Sequence, residues 1–225
     1  MKSIIVLVAL VLSSGLASAA DCNSVAAAGV DWRDCQKRLL MLDGSDFSGA
    51  NLAETDFTAT DLRRSNFESA NLEGATLVRS SLAGSNARNA NFSKVEGYRT
   101  DFSGIDGQHV NFINAELQRA DFTGANLAST SFEKAELGRA QFENAELTGS
   151  RFTLANLARA DFRKAKFTGP LDFSRAFFYL TRIAGVNLEA ATGLEQWQID
   201  MSCGDADTVL PAGLTAPADW PCQLD

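Results

Sequence analysis

From Met41 to Pro170 a large apolar residue returns every fifth position, most plainly in AELQRADFTGANLASTSFEKAELGRA (Ala115–Ala140). If that residue is taken as a centre, centres run without a gap from Phe47 to Phe167, which makes 25 pentads, 12 with Phe and 10 with Leu. Ala87, Gly97 and Gly107 are the exceptions, and Leu42 adds one pentad upstream. Two places before each centre stands Ala, Ser or Thr in 22 of the 25 pentads, and the place just before it is mostly Asp, Asn or Glu. A repeat of this kind decides the fold before any other feature. Five residues turn a helix by about 500°, which carries the apolar positions around it in a spiral. In a strand an odd period moves successive centres to opposite faces. The pattern closes only if the chain turns a corner at each pentad. Four pentads then make a square coil of about 20 residues that stacks at strand spacing, about 4.8 Å. Centres and small residues face inward, and the other three positions face solvent.

The runs Ala120-Asp121-Phe122-Thr123-Gly124 and Ala125-Asn126-Leu127-Ala128-Ser129 are similar to the A(D/N)LXX units of the pentapeptide repeat family. The resemblance covers roughly two thirds of the chain, and it implies an all-β fold, a right-handed, four-sided parallel β-helix. The best-known functional branch of that family mimics DNA and binds DNA gyrase in the cytosol.

The ends depart from the repeat. Residues 1–19 combine Lys2, the apolar run Ile4–Leu12 and Ala17-Ser18-Ala19, the pattern of a cleaved signal peptide. That run is too short to span a membrane. The reading is therefore a periplasmic or secreted protein whose mature chain begins near Ala20. Four cysteines suit such a compartment. Cys22 and Cys35 flank the start of the array, and Cys203 and Cys222 follow its end. Three pairings are possible. The local one is preferred, because the array holds the two pairs tens of ångströms apart and a bridge needs Cα atoms within about 7 Å. Residues 20–40 have lost the period and suggest an N-terminal cap with a short helix and a turn carrying Trp32. The array is taken as residues 41–191, with a one-residue register break at Pro170-Leu171, after which centres resume at Phe173, Phe178, Ile183 and Leu188. Residues 192–225 carry Trp197, Trp220 and three prolines and suggest a C-terminal cap, as an array whose ends would otherwise expose apolar centres requires. Their Cys-Gly-Asp and Leu-Pro-x-Gly-Leu runs are also similar to tails of exported pentapeptide repeat proteins.

Residues 20 apart share a column. Phe92, Phe112, Phe132 and Phe152 form one, and Phe102, Phe122, Phe142 and Phe162 another, with Leu columns between. Gly97 and Gly107 stand at centres, while the bulky Val95 and Ile105 stand two places earlier. This points to volume moved along the chain rather than a dent. Val110 is also oversized, with no evident partner.

Little in the sequence suggests catalysis. His109 is the sole histidine, so Ser-His-Asp or Cys-His chemistry would rest on one outward-facing residue. The Asp and Asn residues occupy a structural place in every pentad, which weakens any reading of them as acid–base or metal groups. No cofactor is expected. The formal net charge is −8, but residues 41–191 carry 16 Lys and Arg against 19 Asp and Glu, while residues 192–225 carry six acids and no base. A nearly balanced wall argues against both nucleic-acid binding and gyrase mimicry. One column stands out: Arg79, Arg99, Arg119, Arg139 and Arg159 recur once per coil, with Glu96, Glu116 and Glu136 three places before three of them. This is either a surface salt-bridge ladder or a docking strip for an acidic protein or glycan. At its upper end Phe177, Tyr179 and Leu180 take outward positions. They await coverage by the tail, a partner, or a homodimer through the C-terminal end. The reading that follows is a non-enzymatic exported scaffold or protein-binding module of the bacterial envelope. The alternatives are a polysaccharide-acting enzyme or glycan-binding protein on the same scaffold, and a cytosolic topoisomerase binder.

Overall fold

The computed structural model describes residues 20–222, so the signal-peptide reading of residues 1–19 lies outside the described residues. The chain winds as a four-sided parallel β-helix. Each coil pairs with the next through parallel bridges at a 20-residue interval, from Asp31 with Asn51 to Glu146 with Lys166.

The pentad Ala120–Gly124 shows why five residues make one side. Asp121 N–H donates to Thr100 C=O in the coil below, and Phe122 and Gly124 N–H donate to Gln141 and Glu143 C=O in the coil above. Ala120 N–H closes a turn on Leu117 C=O. Thr123 N–H, the fifth donor, is taken by the Asp121 carboxylate at 2.8 Å. That is the task of the Asp or Asn before each centre: its short side chain reaches the N–H two residues on. Asn66, Asn71, Asn91, Asn111 and Asp161 do the same. The corner needs a left-handed residue, and φ is positive at every fifth position from Gly29 to Lys164.

The core is a continuous stack. Phe132 lies between Phe112 and Phe152, with ring centroids at 5.1 and 4.9 Å and planes within 7°. It also meets Phe122 and Phe142 edge-on at 5.6 and 5.8 Å. Buried hydroxyls at the small position bond downward: Thr100, Thr130 and Ser150 donate to the carbonyls of Leu77, Gly107 and Leu127. The two glycine centres are repacked. A Cβ on Gly97 would come within 2.7 Å of Leu117 Cδ2, and one on Gly107 within 3.1 Å of Leu127 Cδ2. Val95 and Ile105 are buried, and Val110 fills the space beside Gly107.

The expected helix within residues 20–40 is absent. Asp31 and Gln36 already pair with Asn51 and Asp56, so the coil begins ten residues earlier than the Leu and Phe pattern indicates. Trp32 and Lys37 occupy its centres. Lys37 lies 3.5 Å from the Trp32 ring centroid and donates to Cys22 C=O. Burial pushes its pKa down, partly offset by Asp21. Cys35, at a small position, is bonded to Cys22.

At the upper end Phe167 is only partly buried and Pro170 carries the register break, after which the bridge interval lengthens to 21 residues (Arg151 with Asp172). Phe173, Phe178, Ile183 and Leu188 are buried. Strands β1 (Leu171–Asp172) and β2 (Ala191–Thr192) pair in parallel. Helix α1 (Gln196–Asp200) closes the stack. Its buried Gln198 donates to the carbonyls of Phe173 and Ala176 at 3.0 and 2.9 Å. Cys203 is bonded to Cys222, and the Trp220 ring lies against Gly204, where any Cβ would collide with it.

Phe132→Ala is expected to cost about 3–5 kcal/mol in chemical denaturation, because it opens a cavity in this stack. An outward residue such as Arg119 loses at most about 1 kcal/mol on substitution by Ala.

Candidate functional site: a two-railed wall

One wall of the coil departs, at successive rungs, from the capping and pairing seen in pentads such as Ala120–Gly124. Its rungs are Thr76–Arg79, Glu96–Arg99, Glu116–Arg119, Glu136–Arg139, Asn156–Arg159 and Phe177–Leu180, stacked in register.

The expected salt-bridge ladder does not form. Among the described residues none of Arg79, Arg99, Arg119, Arg139 and Arg159 makes an ion pair or a side-chain hydrogen bond. The ion pairs elsewhere show why. Bases at this corner position pair with the acid 21 residues earlier, as Lys94 does with Glu73 and Lys164 with Glu143, at 2.7 and 2.8 Å, and Arg64 with Asp43. For the ladder, those partner positions are Thr58, Val78, Tyr98, Gln118 and Gly138, and none is acidic. Glu96, Glu116 and Glu136 lie across the rung, on the far side of the inward centre. The arginines also sit at φ +57° to +62°, where a residue with a Cβ costs roughly 1–2 kcal/mol, and no ion pair among the described residues offsets that.

The acidic rail breaks a second rule. Glu96, Glu116 and Glu136 stand where Asp or Asn normally caps the turn N–H, and among the described residues these three form no such cap. Glu136 accepts instead from Asn156 Nδ2 at 2.8 Å, and all three side chains are exposed. The wall thus carries two parallel rows of opposite charge, on the order of 10 Å apart at strand rise. The column between them is low, with Gln118, Gly138 and Ala158 flanked by Tyr98 beneath and Tyr179 above.

The apolar cluster at the upper end is split by the tail. Leu180 is half-buried, and its N–H donates to Met201 C=O. Phe177 and Tyr179 remain 45% and 47% exposed, with near-parallel rings 6.2 Å apart. Tyr98 is 37% exposed and lies under the Arg99 guanidinium.

Beyond the basic rail, shallow grooves are lined by Arg99, Arg119, Arg139 and Gln141, then by Arg159, Asp161 and Arg182. Burial pushes the Asp161 carboxyl up. The Arg163 side chain and backbone N–H and the Arg163 and Arg182 charges outweigh it, so its pKa is lowered overall. His109 is exposed at a corner. Among the described residues no group of His, Cys, Asp and Glu is arranged to hold a metal, and no helix is long and apolar enough to cross a membrane. The sequence pattern identified both rails and the apolar cluster, but not the missing turn caps or the absence of acids in the column beneath the arginines.

Asp161, with its folded pKa below the ordinary 3.8, takes up a proton on unfolding as pH falls past that range. Stability is therefore expected to decline below about pH 4, and Asp161→Asn should flatten that decline in pH-dependent denaturation. Gly138→Glu places a carboxylate 21 residues before Arg159. A Cβ there makes ordinary contact, 3.7 Å from Ala158 O. A double-mutant cycle with Arg159→Ala should return a coupling of about 0.2–1 kcal/mol.

Three family models match the chain. One, a pentapeptide repeat region, spans residues 88–152; one of eight pentapeptide repeats spans 42–77; and one of nine spans 132–176. Together they cover more than half of the sequence. No curated protein matches. Among solved structures the chain is similar to HetL, a protein of the cyanobacterium Nostoc involved in heterocyst differentiation regulation, at 20% identity over 84% of this chain and 86% of that one (TM-score 0.46). It is similar also to QnrB1, a plasmid-mediated fluoroquinolone resistance protein, at 19% identity over 82% and 84% (TM-score 0.49). A protein of the Arabidopsis thaliana thylakoid lumen is 28% identical over 54% of this chain and 67% of that one (TM-score 0.24).

Proposed function

Because this chain belongs to the pentapeptide repeat family, we propose that it serves as a non-enzymatic, exported protein-binding module of the bacterial envelope, which docks a partner on the two-railed wall. The observation that carries this reading is the row of five exposed arginines that, among the described residues, pair with no acid. Charges placed at a conformational cost, with no acid of their own among the described residues, are what a surface made for another molecule presents. The flat wall and the turn-sized corners support binding rather than catalysis, which needs a concave site with converging polar groups. Export is supported by the leader-like residues 1–19 and by two disulfides, bonds that persist in oxidising compartments. A protein partner fits better than a long acidic glycan. A polyanion laid on the arginines would lie on the order of 10 Å from the glutamate rail, about one Debye length at 0.1 M salt, so the two would repel at low ionic strength.

Cell fractionation should place the chain outside the cytosol with a mature end near Ala20. At low salt the affinity-tagged chain should retain its partner, and Arg119→Glu with Arg139→Glu should reduce retention by about tenfold or more, equivalent to about 1.4 kcal/mol. Arg163→Ala, away from the rails, should leave it unchanged. A cytosolic chain with an intact leader would overturn the envelope assignment, and equal retention by the charge-reversed variant would overturn the wall.

A further inference from the structure

The two rails run in the same direction, sharing three rungs, on either side of a low central column. That arrangement has a symmetry consequence. If a second copy is turned by half a turn about an axis parallel to the stack and lying against the wall, left and right exchange while height is kept. Each glutamate of one copy then faces an arginine of the other on the same rung: Glu96 the partner's Arg99, Glu116 the partner's Arg119, and Glu136 the partner's Arg139. The contacts occur twice, as a two-fold interface requires. Turning the second copy about an axis across the wall keeps left and right, so glutamate faces glutamate.

Resting on the reading that this wall is the binding face, we propose that its partner is a second copy of this chain, paired side by side with the two stacks parallel.

Charge complementarity is the first argument, and spacing is the second. The rungs repeat at strand spacing, about 4.8 Å, whereas phosphates of a B-form strand advance about 3.4 Å along the axis. A second coil of the same kind matches the charges at the three rungs that carry both rails, Glu96–Arg99, Glu116–Arg119 and Glu136–Arg139. The upper end agrees. The same half-turn sets Phe177 opposite the partner's Leu180 and brings the Tyr179 rings together beside the axis. The exposed apolar area that the tail leaves open is thereby covered. At the lower end Tyr98 faces its own copy. The central column, with Gly138 and Ala158, is low enough for the long charged side chains to cross. Six rungs span roughly 24 Å, which gives an interface on the order of 400 Å² per partner, about half the standard size. The dimer is therefore dissociable and, with charge pairs at its rim, salt-sensitive.

The test is sedimentation or light scattering of the mature chain across a concentration series at low and high salt, joined to a charge swap. The native chain is expected to show a monomer–dimer equilibrium at low salt that shifts to monomer at high salt. Arg119→Glu with Arg139→Glu, and separately Glu116→Arg with Glu136→Arg, should each be monomeric with unchanged circular dichroism. Mixed in equal amounts, the two variants should recover a dimer. A native chain that stays monomeric at low salt, or a mixture that fails to associate, overturns the proposal. A photo-crosslinking residue at Gln118, in cells, separates this failure from failure of the wall itself. A self-adduct supports pairing, an adduct with another protein alone overturns pairing while keeping the wall as a binding face, and no adduct overturns both.

Discussion

The hydrogen bonds exchanged between successive coils are the interaction on which everything else here depends. In each regular pentad three N–H groups reach the coils above and below, one closes the corner, and one is taken by the Asp or Asn side chain. With all five donors engaged, neither the number of residues per side nor the register between coils can drift without leaving a polar group unpaired, which costs about 1–3 kcal/mol where it is buried. Columns of identical side chains are a consequence. Phenylalanines stack at about 5 Å because the backbone has already set the spacing, and the core tolerates little but Phe and Leu at the centres.

That coupling explains which parts of the fold were legible in the sequence. The period of five, the inward centres and the small positions follow from one column of large residues, so the array and its break at Pro170 could be read directly. The first coil could not, because Trp32 and Lys37 replace Leu and Phe. A lysine at a core position is intelligible only once its two partners are known, the Trp32 ring and the Cys22 carbonyl. The upper closure was visible as a loss of period. The means of closure, one buried amide on α1 that bonds the carbonyls of Phe173 and Ala176, was not, because a single glutamine in a tail carries no pattern.

The wall was half legible for a similar reason. Every fifth-residue position has a backbone duty, so a departure can be recognised only after the duty is known. Glutamate before a centre looks like a mild variant of aspartate until the aspartate is seen to cap a turn. Arginine at a corner looks like surface salt-bridge material until the pairing rule, corner base with the acid 21 residues earlier, emerges from Lys94 and Lys164. Both rails depart from those duties on the same face and share the rungs of Glu96, Glu116 and Glu136, which is hard to attribute to the stability of the coil alone.

The apolar end then acquires a role that charge cannot fill. A ladder with one spacing is degenerate: moving one copy by a single rung still places Glu96, Glu116 and Glu136 opposite arginines, Arg119, Arg139 and Arg159 in one direction or Arg79, Arg99 and Arg119 in the other. The charges bring two walls together and set their direction without choosing the rung. In the unslipped arrangement Phe177 meets Leu180 and Tyr179 meets Tyr179. A one-rung slip sets Phe177 of one copy against the other's Arg159 and leaves the other's Phe177 beyond the end of the wall. Specificity of this kind comes from what the wrong register leaves uncovered or buries against charge. The three residues that escape the pentad grammar at the top of the coil are therefore the part of the wall able to hold the charged rungs in one alignment.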